Sequence, residues 1–130
     1  MFLTALALSL TPPPCRTYDA ALPQQLRGWT RTAPGLDTGH AVTLAAGKAR
    51  GLTTKVRIRK AGTFGIALDQ NGWVDLARAT GRPLAFSGQG QGPRCSTIAK
   101  IVRYRLQPGT YRVTVSRLKG TRARLMLVRY

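Results

Sequence analysis

The chain has 130 residues, enough for one domain with its own hydrophobic core but too few for two. Lys and Arg number 21 against four acidic residues, all Asp, and the formal net charge is +17. Such an excess favours anionic partners: nucleic acid, an acidic polymer or a membrane surface. A general enrichment in Arg would give the same charge without a specific ligand. One His and no Glu argue against a metal centre or a catalytic triad.

An apolar run over residues 1–10 is followed by Thr and three prolines. It is typical of the apolar part of a secretory signal and is too short to span a bilayer, although no basic segment precedes it. Ala7 and Ser9 have the spacing suited to cleavage before Leu10. We therefore expect residues 1–14 to be a signal-like segment, with no transmembrane span and a periplasmic or secreted protein. The alternative is an N-terminal strand or tail that leads into a stiff polyproline linker.

Two cysteines, Cys15 and Cys95, make up the whole thiol content. In an exported chain an even pair predicts a disulfide, which would tie the N-terminal arm to the body of the domain. In a cytosolic chain both would more often be free thiols. The arm, about residues 15–39, is rich in Pro, Gly and turn formers, and Trp29 is its obvious apolar anchor. Residues 15–130 are thus expected to form a single domain that the arm wraps.

From residue 40 onward, short extended segments alternate with turns that contain Gly, which is the pattern of an all-β sandwich or barrel. No stretch shows sustained helical periodicity. We expect about eight strands, since one of the first three segments can be a bulge or bend. The segments lie near residues 41–45, 49–53, 55–60, 63–69, 73–78, 83–87, 98–106, 110–117 and 122–129.

One phrase occurs twice: an extended stretch, a Gly turn, then Thr and an aromatic residue that lead into alternating apolar residues. The first copy contains Gly62-Thr63-Phe64 and the second Gly109-Thr110-Tyr111. The repetition predicts an antiparallel β-sandwich.

Alternation also predicts which side chains are buried, because successive residues of a strand point to opposite faces. In the final segment Leu125 and Leu127 are expected inside and Met126 outside. Elsewhere the residues expected inside are Val56, Ile58, Val102, Tyr104, Leu106, Tyr111, Val113 and Val115.

The outward positions of several strands are basic. If two such strands are neighbours, their side chains form a cationic stripe, and like charges directly opposite repel unless they separate or bind an anion. The candidate anion-binding residues are Lys55, Arg57, Arg59, Arg94, Arg103, Arg105 and Arg112.

The segment 87–96 is unusual because Gly alternates with other residues along it. In such a backbone, several consecutive N–H groups could point toward one anion. A phosphate-binding loop, however, needs Gly-Lys followed by Ser or Thr at the start of a helix, and here strand-like residues follow. We expect a flexible connection held by Cys95.

The remaining candidate sites favour structural interpretations. Asn71-Gly72 is expected to be a hairpin turn with Asp69 and Asp75 as nearby polar positions, in preference to a Ca²⁺ site. Trp73 is expected in the core, in preference to a sugar-stacking platform. His40 is alone, and no Gly-x-Ser-x-Gly motif is present. We expect no catalytic residues, no metal and no cofactor.

Two motifs carry a resemblance to known proteins. They are Gly72-Trp73-x-Asp75 and Gly92-Pro93-x-Cys95-x-x-Ile98-x-Lys100-x-Val102-x-x-x-Leu106-x-Pro108-Gly109-x-Tyr111. From about residue 15 to 130 the chain resembles a family of small exported bacterial proteins of unknown function, some labelled homogentisate dioxygenase. That reaction needs non-haem iron held by His and carboxylate ligands, which one His without Glu cannot supply. Gln89 and Gln91 stand where relatives often have His. The second half also resembles pre-peptidase C-terminal and related jelly-roll domains, which implies a sandwich but no substrate.

These features together predict an exported, disulfide-tied β-sandwich that is not an enzyme and binds an anionic envelope component or another exported macromolecule through basic strand faces. A carbohydrate-binding module is the alternative, with Trp73, Trp29 or Tyr104 exposed as a stacking platform. A degenerate enzyme of the family labelled dioxygenase is a third interpretation and would need a metal-bearing cleft. Nucleic acid ranks last, because aromatic residues do not interleave with the Arg rows.

Overall fold

The computed structural model describes residues 11–130, so most of the signal-like segment, residues 1–10, lies outside the described part. The described chain forms a short 3₁₀ helix and eight strands in two antiparallel sheets. The helix is Gln24–Thr30, and the strands are β1 Val42–Ala45, β2 Leu52–Ile58, β3 Gly62–Leu68, β4 Trp73–Arg78, β5 Gly88–Gln91, β6 Lys100–Leu106, β7 Gly109–Ser116 and β8 Arg122–Arg129. The predicted all-β antiparallel sandwich of about eight strands is confirmed.

The strand order is β1-β8-β3-β6-β5 in the larger sheet and β2-β7-β4 in the smaller one. This order follows a jelly roll, in which two Greek keys interleave, except that β5 extends the larger sheet beside β6. The two copies of the repeated phrase start β3 and β7, one in each sheet. Each copy therefore contributes a central strand whose apolar residues face the other sheet.

The interior between the sheets is built from the side chains that alternation predicted. All eight residues of β2, β6 and β7 that alternation predicts to face inward are buried, as are Leu125 and Leu127 of β8. Met126 is also fully buried, which contradicts the prediction that it faces outward. The reason is that the arm covers this outer face, where Trp29, Met126 and Val128 belong to a second apolar cluster. The prediction that Trp29 anchors the arm is confirmed, since its side chain is 0% exposed.

The arm is also held covalently and by hydrogen bonds. Cys15 and Cys95 form the predicted disulfide. The Asp19 carboxylate accepts hydrogen bonds from the Thr97 backbone N–H at 2.7 Å and from Thr97 Oγ1 at 2.6 Å. Thr97 Oγ1 in turn accepts a hydrogen bond from Trp29 Nε1 at 2.8 Å. These contacts connect the bridge to the buried indole.

The segments 49–53 and 55–60 contribute to one strand, β2, in keeping with the expectation that one of the first three segments is not a strand of its own. Two other local predictions are wrong. Segment 83–87 is not a strand. Pro83, which has no N–H to donate to a ladder, forms an isolated bridge with Ala77, and the Ser87 N–H donates to the Arg103 carbonyl at 2.8 Å just before β5 begins. The Gly-rich segment, expected to be a flexible connection, instead supplies the edge strand β5, whose Gly88 pairs with Arg103.

Asn71-Gly72 is not a hairpin turn, because it connects β3 of the larger sheet to β4 of the smaller one. Gln70 fixes this crossing: its Nε2 donates to the Arg122 carbonyl at 2.8 Å, and its Oε1 accepts from the Lys119 N–H at 3.0 Å. These hydrogen bonds tie the crossing to the connection between β7 and β8 and to the first residue of β8.

Tyr104 is the titratable group most affected by the interior. Its side chain is 2% exposed, and its hydroxyl donates to the Val74 carbonyl at 3.3 Å. Burial, and secondarily the charge of Asp75, raise the pKa of Tyr104 to about 12. In the unfolded chain the hydroxyl would titrate near pH 10.

The raised pKa of Tyr104 predicts a loss of stability in alkali. Between about pH 10 and about pH 12 the folded protein keeps a proton that the unfolded chain releases, so this contribution is complete below pH 10 and falls as the pH rises. We expect urea unfolding curves to show a larger decrease between about pH 9 and about pH 11 in the wild type than in Tyr104→Phe. An equal decrease in both would contradict the assignment to Tyr104.

Candidate anion-binding site

The outer face of the smaller sheet carries the clearest cationic cluster. In the register of β2 and β7, Lys55 lies opposite Arg112, and Arg57 lies opposite Thr110. The three basic side chains are exposed. We call Lys55, Arg57 and Arg112 the basic face. The predicted cationic stripe between neighbouring strands therefore exists here.

The basic face holds like charges close together. Side chains directly opposite in an antiparallel pair have Cβ atoms roughly 4.5–5.5 Å apart, where like charges destabilise the pair. Arg112 turns partly aside, with its Nη1 donating to the Ala79 carbonyl at 3.4 Å. An anion lying between Lys55 and Arg112 would relieve the remaining repulsion, and Arg is suited to bidentate contact with phosphate, sulfate or carboxylate.

An aromatic side chain lies at the other end of the same face. Trp73 is 50% exposed, so the prediction that it belongs to the core is wrong. It pairs with Ser116 at an outward position, and its Nε1 donates to Asp75 Oδ1 at 3.2 Å. The guanidinium of Arg117 lies 5.9 Å from the ring centroid. The outer face thus combines cations, hydroxyl groups of β7 and a half-exposed indole.

A cleft of about 260 Å³ opens beside the basic face, at the end of the sandwich where β2 and β8 finish. Arg57 belongs to both, because it lies on the outer face and also lines the cleft. The other residues that line the cleft are Leu36, Asp37, Thr38, Ile58, Arg59, Lys60, Phe64, Leu127 and Arg129. We call this region the end cleft. Arg59, a predicted site residue, therefore lies next to the basic face.

The remaining three predicted residues lie elsewhere. Arg103 and Arg105 are on β6 of the larger sheet, on the opposite side of the sandwich from the basic face. Arg103 lies 4.9 Å from the centroid of the Tyr130 ring. Arg94 lies in the loop after β5 and donates a hydrogen bond to the Pro13 carbonyl. The seven residues therefore do not form one site, and only Lys55, Arg57, Arg59 and Arg112 come together.

The described residues offer little for a metal ion or for sugar stacking on the other aromatic candidates. Nowhere in residues 11–130 do three His, Cys, Asp or Glu side chains come together as a metal-binding group. His40 Nε2 lies within hydrogen-bonding distance of the Pro34 and Gly35 carbonyls, at 3.1 and 2.9 Å. Trp29 and Tyr104 are buried and cannot serve as stacking platforms.

Sequence reasoning missed two members of this region. Lys60 follows β2 in a turn, where alternation gives no information. Arg129 could have been found, because it continues the inward series of Leu125 and Leu127 at the end of the last strand. A basic residue at an inward position beside solvent is a recognisable signal for a charged opening between two sheets.

Comparison with known proteins does not assign the chain to a group. No family model matches it, and no curated protein matches it either. None of the helical structure in residues 11–130 is long and apolar enough to cross a membrane.

Proposed function

We propose that the protein is exported to the periplasm or secreted, and that it binds an anionic polymer of the cell envelope through the basic face without catalysing a reaction. The observation that carries the proposal is the register of β2 and β7, which holds Lys55 directly opposite Arg112 with Arg57 nearby. The Cys15–Cys95 bridge supports export, because such bonds persist in oxidising compartments and are rare in the cytosol.

The shape of the face supports an extended ligand rather than a small one. The outer surface of a sheet is open, and β2 alone has 7 residues along which a chain could lie. Electrostatic contacts with a polyanion release counterions, so affinity should fall steeply with salt. The larger sheet offers less open surface, because the arm packs on part of its outer face.

Calorimetric titration with dextran sulfate tests the proposal, with uncharged dextran as the negative control. We expect binding that weakens by a few tens-fold between about 50 and about 200 mM salt, as three ionic contacts would give. The triple variant Lys55→Glu, Arg57→Glu, Arg112→Glu should abolish binding. Uncharged dextran should not bind to either protein.

A matched control variant distinguishes binding at the basic face from binding that depends only on the net charge of the protein. The triple variant Arg103→Glu, Arg105→Glu, Arg122→Glu changes the charge by the same amount on the larger sheet. If the basic face is the site, this variant should keep most of the affinity. Equal losses in both triple variants would show that binding follows net charge, and the proposal would be wrong.

A carbohydrate-binding module is the second candidate, favoured by the half-exposed ring of Trp73 on the same face. A sugar ring stacking on this indole would bind with little dependence on salt and would quench tryptophan fluorescence. Trp29 is buried, so quenching would report on Trp73. Binding of uncharged dextran that Trp73→Ala removes would favour this candidate over the basic face.

A further inference from the structure

The end cleft differs from the basic face in having an apolar floor. Ile58, Phe64 and Leu127 line it and are 2%, 5% and 3% exposed, so they are the outermost residues of the core between the sheets. Only their outermost atoms reach the cleft, so a ligand that enters would gain mainly by burying its own apolar surface against them. Burial of apolar surface would then add to whatever charge interaction the rim provides.

The rim of the end cleft is strongly cationic. Arg57, Arg59, Lys60 and Arg129 line it together with one carboxylate, that of Asp37. That carboxylate is already engaged, because Asp37 Oδ1 accepts a hydrogen bond from the Thr38 N–H at 2.7 Å. Four cations around one acid give a positive potential that suits a doubly charged anion.

Arg129 is the residue that most clearly points to a ligand. It pairs with Phe64 in the register of β8 and β3, and so lies at an inward position. Two other cations at inward positions near strand ends have internal partners. Arg78 stacks 5.5 Å from the Tyr111 ring, and Lys100 Nζ donates to the Gly72 carbonyl at 2.9 Å. Arg129 instead lines the open cleft.

We propose that the end cleft is a separate binding site for a phosphomonoester carried on a small apolar body. A phosphate group carries about −1.5 to −2 charges and three acceptor oxygens, and Arg side chains bind it in a bidentate manner. A cavity of about 260 Å³ is just under the range of roughly 300–1,000 Å³ typical of small-molecule sites. It therefore suits one ring or a short chain, and the polymer of the basic face does not fit inside.

The test compares phenyl phosphate with its two halves, inorganic phosphate and phenol, by calorimetry at constant ionic strength. Phenyl phosphate should bind at least about tenfold more tightly than inorganic phosphate, since only the former can place a ring on the apolar floor. Phenol should not bind measurably. Equal affinity for phenyl phosphate and inorganic phosphate would overturn the proposal.

Two variants locate the site. Arg129→Gln should weaken phenyl phosphate binding about tenfold, as loss of one charge-assisted contact would. Arg105→Gln, which removes the same charge from the larger sheet outside the cleft, should leave it unchanged. Neither variant should alter dextran sulfate binding, so failure of this proposal is distinguishable from failure of the proposed function. Equal effects of the two variants would overturn the site.

A second measurement uses the unaltered protein and does not depend on the folding of a variant. Phenyl phosphate should shift the backbone amide resonances of residues 36–38, 58–60 and 127–129 in a ¹⁵N-edited NMR titration, because these segments surround the cleft. Shifts confined to other segments would contradict the assignment.

Discussion

Reduction of the Cys15–Cys95 disulfide is expected to lower the free energy of unfolding by up to about 4 to 5 kcal/mol. The two cysteines are 80 residues apart, so the bridge removes a large loop-closure entropy from the unfolded chain. Small domains commonly have only about 5 to 15 kcal/mol of stability in total. Urea unfolding with and without reductant, and of the double variant Cys15→Ser, Cys95→Ser, measures the effect.

The bridge also secures the start of the arm, which gives a control. Asp19 of the arm contacts the segment around Cys95. Its N–H donates to the Cys95 carbonyl at 2.9 Å, and its carboxylate accepts a hydrogen bond from the Thr97 N–H. Asp19→Asn keeps the disulfide and one acceptor oxygen and should cost about 1 kcal/mol, because it weakens two solvent-exposed hydrogen bonds. If the reduced protein unfolds at the same urea concentration as the oxidised one, these noncovalent contacts alone hold the arm.

The parts of the fold that sequence predicted well are those that local alternation determines. Strands β2, β6 and β7 each have one buried and one exposed face. Strand alternation therefore correctly places Val56 in the core and its neighbour Lys55 on the surface. Alternation assigns Met126 to solvent because it assumes that only one face of the sheet is covered. Its burial depends on Trp29, which is far away in the chain, and no local pattern contains that contact.

Trp73 lies on the face of β4 that strand alternation indicates. In Trp73-Val74-Asp75-Leu76, alternation places the indole on the same face as Asp75, and the structure shows both at outward positions. The size of the side chain suggested the core, although the period of the strand indicated the surface. Half-exposed Trp73 is therefore a feature that the sequence could have predicted.

The candidate site needed information that one sequence does not contain. Lys55 and Arg105 look alike in their strands, yet β2 lies in the smaller sheet and β6 in the larger one. Only the strand order shows that Lys55 and Arg105 lie on opposite sides of the sandwich and that Lys55 is the cross-strand neighbour of Arg112. The end cleft likewise depends on β2 and β8 finishing at the same end of the two layers.

Trp29→Ala is expected to cost about 3–5 kcal/mol, the range for removing a large buried aromatic side chain. Trp29 is 0% exposed and belongs to the cluster between the arm and the outer face of the larger sheet. Its loss would also remove the donor to Thr97 Oγ1 and the ring that lies 5.6 Å from the Arg124 guanidinium. The arm would then keep its disulfide but lose its main apolar contact.

Trp73→Ala is the matched control for Trp29→Ala, because it removes the same side chain from a half-exposed position. We expect it to cost about 1 kcal/mol or less, as most surface substitutions do. Urea unfolding of the two variants, followed by circular dichroism, gives the comparison. Similar costs would mean that the arm contributes little to the stability of the sandwich. A large cost for Trp29→Ala alone would show that the sandwich needs the arm as a third layer over its larger sheet, which leaves the smaller sheet as the open surface for a ligand.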